Sequence, residues 1–423
     1  MPNFFLILYM RIMLFICLLC FRFHSNCFAQ KTKSGDTVDI SLLVSKALKK
    51  DTKAKGSSGL AILPSLGYNP SMGLMIGANA TASLHLGESS STRLSSGTAT
   101  AFVTSKGIIN LQLRHNIFTE GNKWLLQGNL QASRMLMIDY GLGTASMQGR
   151  GEGISLMGFP LKNASASYPV SFGLFRLNEK AYRKINESLF IGGGINIDIH
   201  TNIKDEKLNL DSGQRTPHFN YSVEKGVNPR RYFANGVMFN IQYNTKEHPN
   251  RSFGGMYADL VIRANSKFLG SSLNSLQLMT EFKKYWSLSK RNPEHVIAVW
   301  HLGTYRLNGD VPYLDLPGTA GDLFNRSGRG YTIGRFKGPS YAYLETEYRF
   351  PISSNKLFSG VVFANVQTAS DGKKVKLFDR VEPAAGGGLR VLFKKESRTS
   401  ACIDYAFGRY GSSGLFFGLN EVF

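Results

Sequence analysis

Acidic, basic and aromatic side chains share one face of a single segment near residue 345. Its period-two spacing puts five polar or aromatic side chains on one side and mostly apolar ones on the other: Tyr341, Tyr343, Glu345, Glu347 and Arg349. A Gly-rich segment that carries arginines, 328–335, precedes this strand. Carboxylates beside a guanidinium form ion pairs in an enclosed wet interior, whereas the apolar face suits lipid. The chemistry that we predict for this strand is therefore ion pairing inside a barrel.

Motifs for catalysis or metal binding are absent from the sequence. It contains no His-Glu-x-x-His, no phosphate-binding Walker loop and no Gly-x-Ser-x-Gly, and its 8 His residues are scattered. The pairs Asp259–Arg263 and Glu281–Lys283 are interpreted as ion pairs of a barrel interior. We therefore expect no enzyme activity, no metal and no cofactor. A lipid-acting enzyme with a Ser–His site assembled from distant residues stays open as an alternative.

The N-terminal segment 1–30 has the pattern of a secretory signal peptide. An apolar stretch from Phe4 to Phe21 is followed by Cys27-Phe28-Ala29, which suits cleavage by signal peptidase. An uncleaved membrane anchor is the alternative. Three of the 4 cysteines lie in this segment, so cleavage would leave Cys402 without an intramolecular disulfide partner.

Residues 31–59 form a polar segment between the signal peptide and the rest of the chain. Apolar residues recur at helical spacing over 38–50, which predicts one short amphipathic helix in the periplasm or at the barrel mouth. A Gly-Ser linker ends the segment, and 60–423 is predicted to be a single domain.

Alternating polar and apolar residues over 60–423 predict sixteen β-strands and no helix. The predicted strands cover 60–69, 72–85, 95–105, 107–117, 122–136, 168–178, 188–200, 235–245, 253–266, 271–287, 295–306, 340–350, 357–368, 381–394, 399–410 and 413–422.

The length of these strands and the asymmetry of their connections favour a membrane barrel over a soluble sandwich. Most approach the roughly 9–11 residues that a tilted transmembrane strand needs. The long connections, near 137–167, 201–234, 307–339 and 369–380, all fall at one end. The sequence therefore predicts a 16-stranded antiparallel barrel in the bacterial outer membrane, closed by pairing of its first and last strands.

The last predicted strand ends in Phe423. A terminal aromatic resembles the signal by which barrel proteins are recognised for outer-membrane assembly, and we assign Gly418 and Phe423 to it. Glu421 occupies a position where that signal carries another aromatic residue.

The formal charge of +21 indicates a polyanionic partner. For an exported barrel the expected partners are outer-membrane lipid and the phosphates of lipopolysaccharide. Nucleic acid is not expected, because the chain has an export signal and no recognisable nucleic-acid-binding motif. Much of the excess could equally be solvated charge in loops.

Three motifs resemble the BamA/TamA superfamily of outer-membrane barrels, also called the bacterial surface antigen superfamily. Arg329-Gly330-Tyr331 falls in the sixth outer loop, before the strand that ends in Glu347-Tyr348-Arg349-Phe350-Pro351. The segments 64–77 and 139–143 are similar to the opening hairpin and to an early outer loop of that family. The resemblance covers 60–423 and implies a member without POTRA repeats.

The resemblance also implies how the loop is held. In that family the loop folds back into the barrel, and acids of strands twelve and thirteen hold the motif arginine. Arg329 would then pair with Glu347, Gly330 would approach the wall, and Tyr331 would wedge against it. The second acid of the family pattern is replaced by Asn365.

The implied function is assistance to protein insertion or translocation, with a periplasmic partner protein or client barrel proteins. A passive or structural barrel is the main alternative.

Overall fold

The computed structural model describes Thr37, Asp39 and residues 59–69, 72–144, 167–395 and 398–423. Within 59–69, only the side chain of Ser65 is described. The side chains of Phe417 and Leu419 are likewise outside the description. The predicted signal peptide 1–30 lies outside the described residues. The predicted helix 38–50 does too, apart from Asp39.

A single antiparallel sheet of sixteen strands, in chain order, makes up the fold. The strands are β1 (Gly59–Asn69), β2 (Gly73–Leu84), β3 (Ser95–Thr104), β4 (Ile109–Phe118), β5 (Trp124–Asp139), β6 (Tyr168–Lys184), β7 (Leu189–Asp205), β8 (Tyr232–Asn244), β9 (Gly255–Asn265), β10 (Ser275–Ser287), β11 (Val296–Gly309), β12 (Tyr341–Pro351), β13 (Phe358–Ala369), β14 (Glu382–Lys394), β15 (Thr399–Gly408) and β16 (Ser413–Leu419). The predicted all-β fold and its strand number are confirmed.

Burial alternates along the strands as the sequence pattern predicts. In β12, Glu345, Glu347 and Arg349 are buried on the inner face, and Leu344 and Thr346 between them are partly exposed. The outer face of the sheet is apolar because alternate side chains must meet lipid, whereas the inner face encloses charged and amide groups.

The two ends of the barrel differ in their connections. One end, here called the long-loop end, carries the connections 140–167, 206–231, 310–340 and 370–381. The opposite, short-turn end carries the turns that include 119–123, 185–188 and 352–357. This asymmetry agrees with the sequence pattern.

One helix was missed by the sequence prediction. The helix α1 (Pro217–Glu224) lies in the long connection 206–231. Thr216 caps it, since its side chain accepts a hydrogen bond from the Phe219 amide at 3.2 Å, and Pro217 occupies the first helical turn. These are ordinary start signals of a helix, which the strand periodicity on either side obscured.

The junction between β1 and β16 departs from the prediction. Antiparallel ladders join all fifteen consecutive strand pairs, but the described residues form none between the first and last strands, so the sheet is not closed. Part of β1 and part of β16 still approach within 8 Å, Cα to Cα. Pro64 has no amide hydrogen to donate, and β16 has only 7 residues, two of them Gly414 and Gly418. Both features weaken strand pairing.

The chain end also departs from the prediction of a strand that runs to residue 422. The strand β16 ends at Leu419, and Asn420 follows with φ of 68°. This left-handed residue turns the chain inward, so that Phe423 is buried inside the barrel against Trp300, with ring centroids 5.2 Å apart.

Among the described residues, no helix is long and apolar enough to cross a membrane.

Candidate functional site inside the barrel

The connection 310–340 turns back into the barrel and is fastened to the wall. Gly318 and Lys337 form an isolated antiparallel bridge that closes the neck of the loop. Thr319 donates its hydroxyl to the Gln367 side chain of β13 at 2.7 Å and accepts from the Phe336 amide at 3.1 Å. Tyr341 donates to the same Gln367 oxygen at 2.9 Å. The loop therefore enters the interior as a hydrogen-bonded element.

Arg329 is a fully enclosed charged group that the loop contributes to the site. Its side chain is 3% exposed and meets three carboxylates. Nη2 donates to Glu345 at 2.6 Å and also to Glu347, while Nη1 donates to Asp404 at 2.8 Å. The guanidinium carbon lies 3.5 Å from the ring centroid of Phe363. A planar, permanently charged group with several donors suits such a site.

The predicted partners of Arg329 lie at the site in different roles. The structure brings Glu347 to the guanidinium. Asn365 instead donates to the backbone oxygen of Arg329 at 3.0 Å and to Glu345 at 3.4 Å. Asp404 of β15 supplies the negative charge that Asn365 lacks. The sequence argument missed Asp404 because it lies 75 residues from Arg329, on a strand that the motif does not include.

Gly330 and Tyr331 fit the wall closely. Gly330 has φ of 100°, and a Cβ there would lie 2.8 Å from the Ala384 Cβ. Tyr331 donates its hydroxyl to the Pro383 carbonyl at 2.7 Å and accepts from the Arg409 amide at 2.9 Å. The motif therefore spans the wall from β12 to the β15–β16 turn.

The residues 139–143, singled out by the sequence, pack against the same loop. Lys337 lies 3.1 Å from the Asp139 carboxylate, and Tyr313 donates to that carboxylate at 2.8 Å. The Gly143 amide donates to the Lys337 carbonyl at 2.8 Å. Together these contacts hold the neck of the loop against β5.

A continuous set of ion pairs leads from Arg329 to the chain end. Arg349 donates to Glu347 at 2.7 Å and to the backbone oxygen of Phe423 at 2.8 Å. Arg390 binds Asp404 and also donates to Glu421 at 2.8 Å. The loop, the wall and residues 421–423 thus share one buried network.

The network is balanced in charge. Its five basic residues are Arg251, Arg329, Arg349, Lys356 and Arg390, and its five acids are Glu294, Glu345, Glu347, Asp404 and Glu421. Burial by itself would raise the pKa of Glu421, but the neighbouring arginines lower it overall, so the carboxylate stays ionised. At position 421, where the predicted assembly signal would carry an aromatic residue, the glutamate side chain thus faces arginines.

The two residues assigned to the assembly signal lie apart. Gly418 stays in β16, in register with Cys402, and Phe423 lies in the interior. The predicted pair Glu281–Lys283 is confirmed at 2.8 Å. The predicted pair Asp259–Arg263 is wrong, since each side chain has another partner: Lys180 lies 3.1 Å from Asp259, and Asp198 lies 2.8 Å from Arg263.

The short-turn mouth contains a cavity of about 360 Å³. Its lining combines charged and apolar residues with one residue from the N-terminal segment: Thr37, Arg251, Phe253, Glu294, Lys356, Leu392, Lys395 and Arg398. Asp39 is buried beside it and accepts a hydrogen bond from the Lys395 amide at 2.8 Å. The predicted placement of the N-terminal segment near the barrel mouth thus agrees with these two residues.

The geometry is that of a structural anchor. Every acid of the network has an arginine partner, and within the described part of the chain no group of three or more His, Cys, Asp or Glu could hold a metal ion. The arrangement can hold a loop in place and couple it to the chain end.

The Omp85 superfamily domain matches residues 164–404, which is more than half of the chain. The chain belongs to the Omp85 superfamily. The matched range includes the motif arginine, its three acids and Asn365. The resemblance inferred from the Arg-Gly-Tyr loop is therefore confirmed at the level of the family, and with it a place in the outer membrane.

Solved structures agree on the fold of this Omp85 chain. BamA from Haemophilus ducreyi lacking POTRA domains 1-3 is similar with a TM-score of 0.55 at 15% identity, over 90% of this chain and 78% of that one. CdiB from Escherichia coli is similar with a TM-score of 0.51 at 8% identity, over 86% of this chain and 67% of that one. No curated protein sequence matches the chain.

Proposed function

We propose that this Omp85 chain assists the insertion or translocation of proteins at the outer membrane, through the junction of β1 and β16. The observation that carries the proposal is the missing ladder at this junction, where the described residues of both edges lie side by side without pairing. An unpaired strand edge offers backbone donors and acceptors to another strand. A client strand is the natural partner for such an edge.

The buried network supports a link between the loop and this junction. Residues 421–423 follow β16 directly and are held by Arg390 and Arg349, while Asp404 joins Arg390 to Arg329. Moving β16 away from β1 therefore strains the ion pairs that hold the loop. We propose that the loop and the chain end together set how far the junction opens.

The orientation follows from the connections. Short turns face the periplasm in outer-membrane barrels and longer loops face outward. We therefore assign the short-turn end to the periplasm, where a periplasmic partner protein or an unfolded client would arrive.

Disulfides across the junction test the proposal. Cysteine pairs placed between residues 63–67 of β1 and 414–418 of β16, in a Cys402→Ser background, would lock it. The assay is assembly of a urea-unfolded eight-stranded outer-membrane barrel into vesicles that contain the purified protein. We expect assembly by the locked form to fall to the rate in empty vesicles, and reductant to restore it.

A disulfide between Ala101 and Leu111 is the matched control. These residues are register partners in the β3–β4 ladder, so the bond locks strands that are already paired. We expect it to leave assembly unchanged. Normal assembly by an oxidised β1–β16 form would contradict the proposal.

A passive pore is the second candidate, favoured by the inner wall of β4 and β5. This wall presents amide side chains that hydrogen-bond across the strands: Asn110, Gln112, Asn116, Gln127, Asn129 and Gln131. Conductance measurements in planar bilayers distinguish a passive pore from a protein that assists insertion or translocation. A pore predicts steady conductance that rises when residues 320–338 are deleted, together with no client assembly by the intact protein.

A further inference from the structure

Basic side chains gather on the long-loop rim at the ends of β7, β8 and β9. This set, called here the cationic collar, consists of Lys204, Lys207, Arg230, Arg231 and Lys267. Backbone contacts bring its parts together, because the Ile203 amide donates to the Arg230 carbonyl at 3.1 Å and the Ser272 amide donates to the Phe233 carbonyl at 2.9 Å. The collar thus joins the rim ends of three neighbouring strands, β7, β8 and β9.

Much of the charge of the collar is not neutralised. Lys204 pairs with Glu206 at 3.2 Å. Among the described residues, no carboxylate forms an ion pair with Arg230, Arg231 or Lys267. The local field is therefore positive, and an anion that arrives there need not displace an existing partner.

Aromatic rings accompany the cations. The guanidinium carbon of Arg231 lies 4.8 Å from the ring centroid of Phe233, and the Lys207 ammonium lies 5.6 Å from that of Tyr168. Phe268, next to Lys267, is 94% exposed. Rings that lie beside cations are typical of a membrane interface.

An apolar belt lies on the outer face of the same strands, on the short-turn side of the collar. Its exposed side chains are Ile195, Val237, Phe239 and Leu260. Acyl chains cover such a belt in a membrane, so the collar lies at the height of the lipid headgroups. In the proposed orientation this is the outer leaflet.

We propose that the cationic collar binds the phosphate groups of lipopolysaccharide while its acyl chains lie against the apolar belt and Phe268. Several unpaired cations in a row suit a headgroup that carries more than one phosphate. This inference rests on the proposed outer-membrane orientation, and it gives the lipopolysaccharide partner a site. The strand junction lies elsewhere on the barrel.

The test measures binding of lipid A to the purified full-length protein in detergent micelles free of lipopolysaccharide, by native mass spectrometry. The variant is Lys204→Gln/Arg230→Gln/Arg231→Gln/Lys267→Gln. The matched control is Lys290→Gln/Arg291→Gln, which removes two exposed cations from the short-turn end. Since each cation near an anionic surface contributes about 1 kcal/mol, we expect the collar variant to raise the Kd for bisphosphorylated lipid A at least about tenfold.

Further arms identify the ligand. The wild type should bind dephosphorylated lipid A weakly, with the same Kd that the collar variant has for bisphosphorylated lipid A. The control variant should bind bisphosphorylated lipid A as tightly as the wild type does. An unchanged Kd in the collar variant, an equal loss in the control, or equal binding of phosphatidylglycerol would overturn the proposal. Client assembly is measured on the same preparations, so failure of the collar and failure of the proposed function give different results.

Discussion

Replacing Arg329 by Met tests whether the buried network anchors the loop. The substitution leaves three carboxylates facing an apolar side chain. Glu347 keeps Arg349 and Asp404 keeps Arg390, but Glu345 keeps only neutral donors, Tyr343 and Asn365. Breaking a buried ion pair on one side costs about 3–5 kcal/mol, because an uncompensated charge remains.

This loss of stability should first increase the fraction of molecules in which the loop has left the barrel interior. When opening is fast, proteolysis follows the population of the open form. A cost of about 3 kcal/mol should then make trypsin, added to intact cells, cleave the loop about 100-fold faster than in the wild type. The variant keeps Arg326 and Arg335, and cleavage is expected at the peptide bonds that follow them. Cleavage is followed by the size of the fragments that stay in the membrane.

Two further variants make this result specific. Arg329→Met/Glu345→Gln restores the charge balance, so its stability in urea should return to within about 2 kcal/mol of the wild type. Arg306→Met removes a rim arginine whose side chain is 35% exposed and pairs with Asp310 at 2.8 Å, so it should cost at most about 1 kcal/mol. Two results would refute the claim that Arg329 anchors the loop. One is that trypsin cleaves Arg329→Met no faster than the wild type, and the other is that it cleaves Arg306→Met as fast as Arg329→Met.

Two other predictions concern the same loop. Burial, together with the charge of Asp198, raises the pKa of Asp315 to about 7, so the folded loop holds this proton more tightly than the unfolded chain does. Loop stability should therefore fall as pH rises from about 4 to 7 and then level off; trypsin cleavage normalised to an unstructured peptide would reveal this, and Asp315→Asn should abolish the dependence. Gly330→Ala should release the loop, since φ of 100° is combined with a contact of 2.8 Å to Ala384, whereas Gly213→Ala has φ of 75° and nothing within 4 Å. Equal protease sensitivity of the two alanine variants would show that the close contact does not matter.

The strands could be predicted from the sequence because each carries its own signal. Alternation along β12 placed Glu345, Glu347 and Arg349 on one face, and the structure buries all three inside. The alternation of short and long connections in the sequence correctly predicted that the two ends of the barrel differ. Such signals are local, since successive side chains of a strand point to opposite faces whatever the neighbouring strand.

The tertiary structure alone decided which distant groups meet. Asp404 reaches Arg329 because β12 and β15 curve around the same interior, and no spacing in the chain encodes that distance. Glu421 and Phe423 looked like the end of a strand, yet arginines and aromatic rings inside the barrel draw them inward. Likewise, the described residues of β1 and β16 form no ladder, which the alternation along each strand did not predict. The sequence by itself determined the strands and their faces, and the packing of the barrel interior decided the partners of its charges, because a buried charge is stable only beside an opposite one.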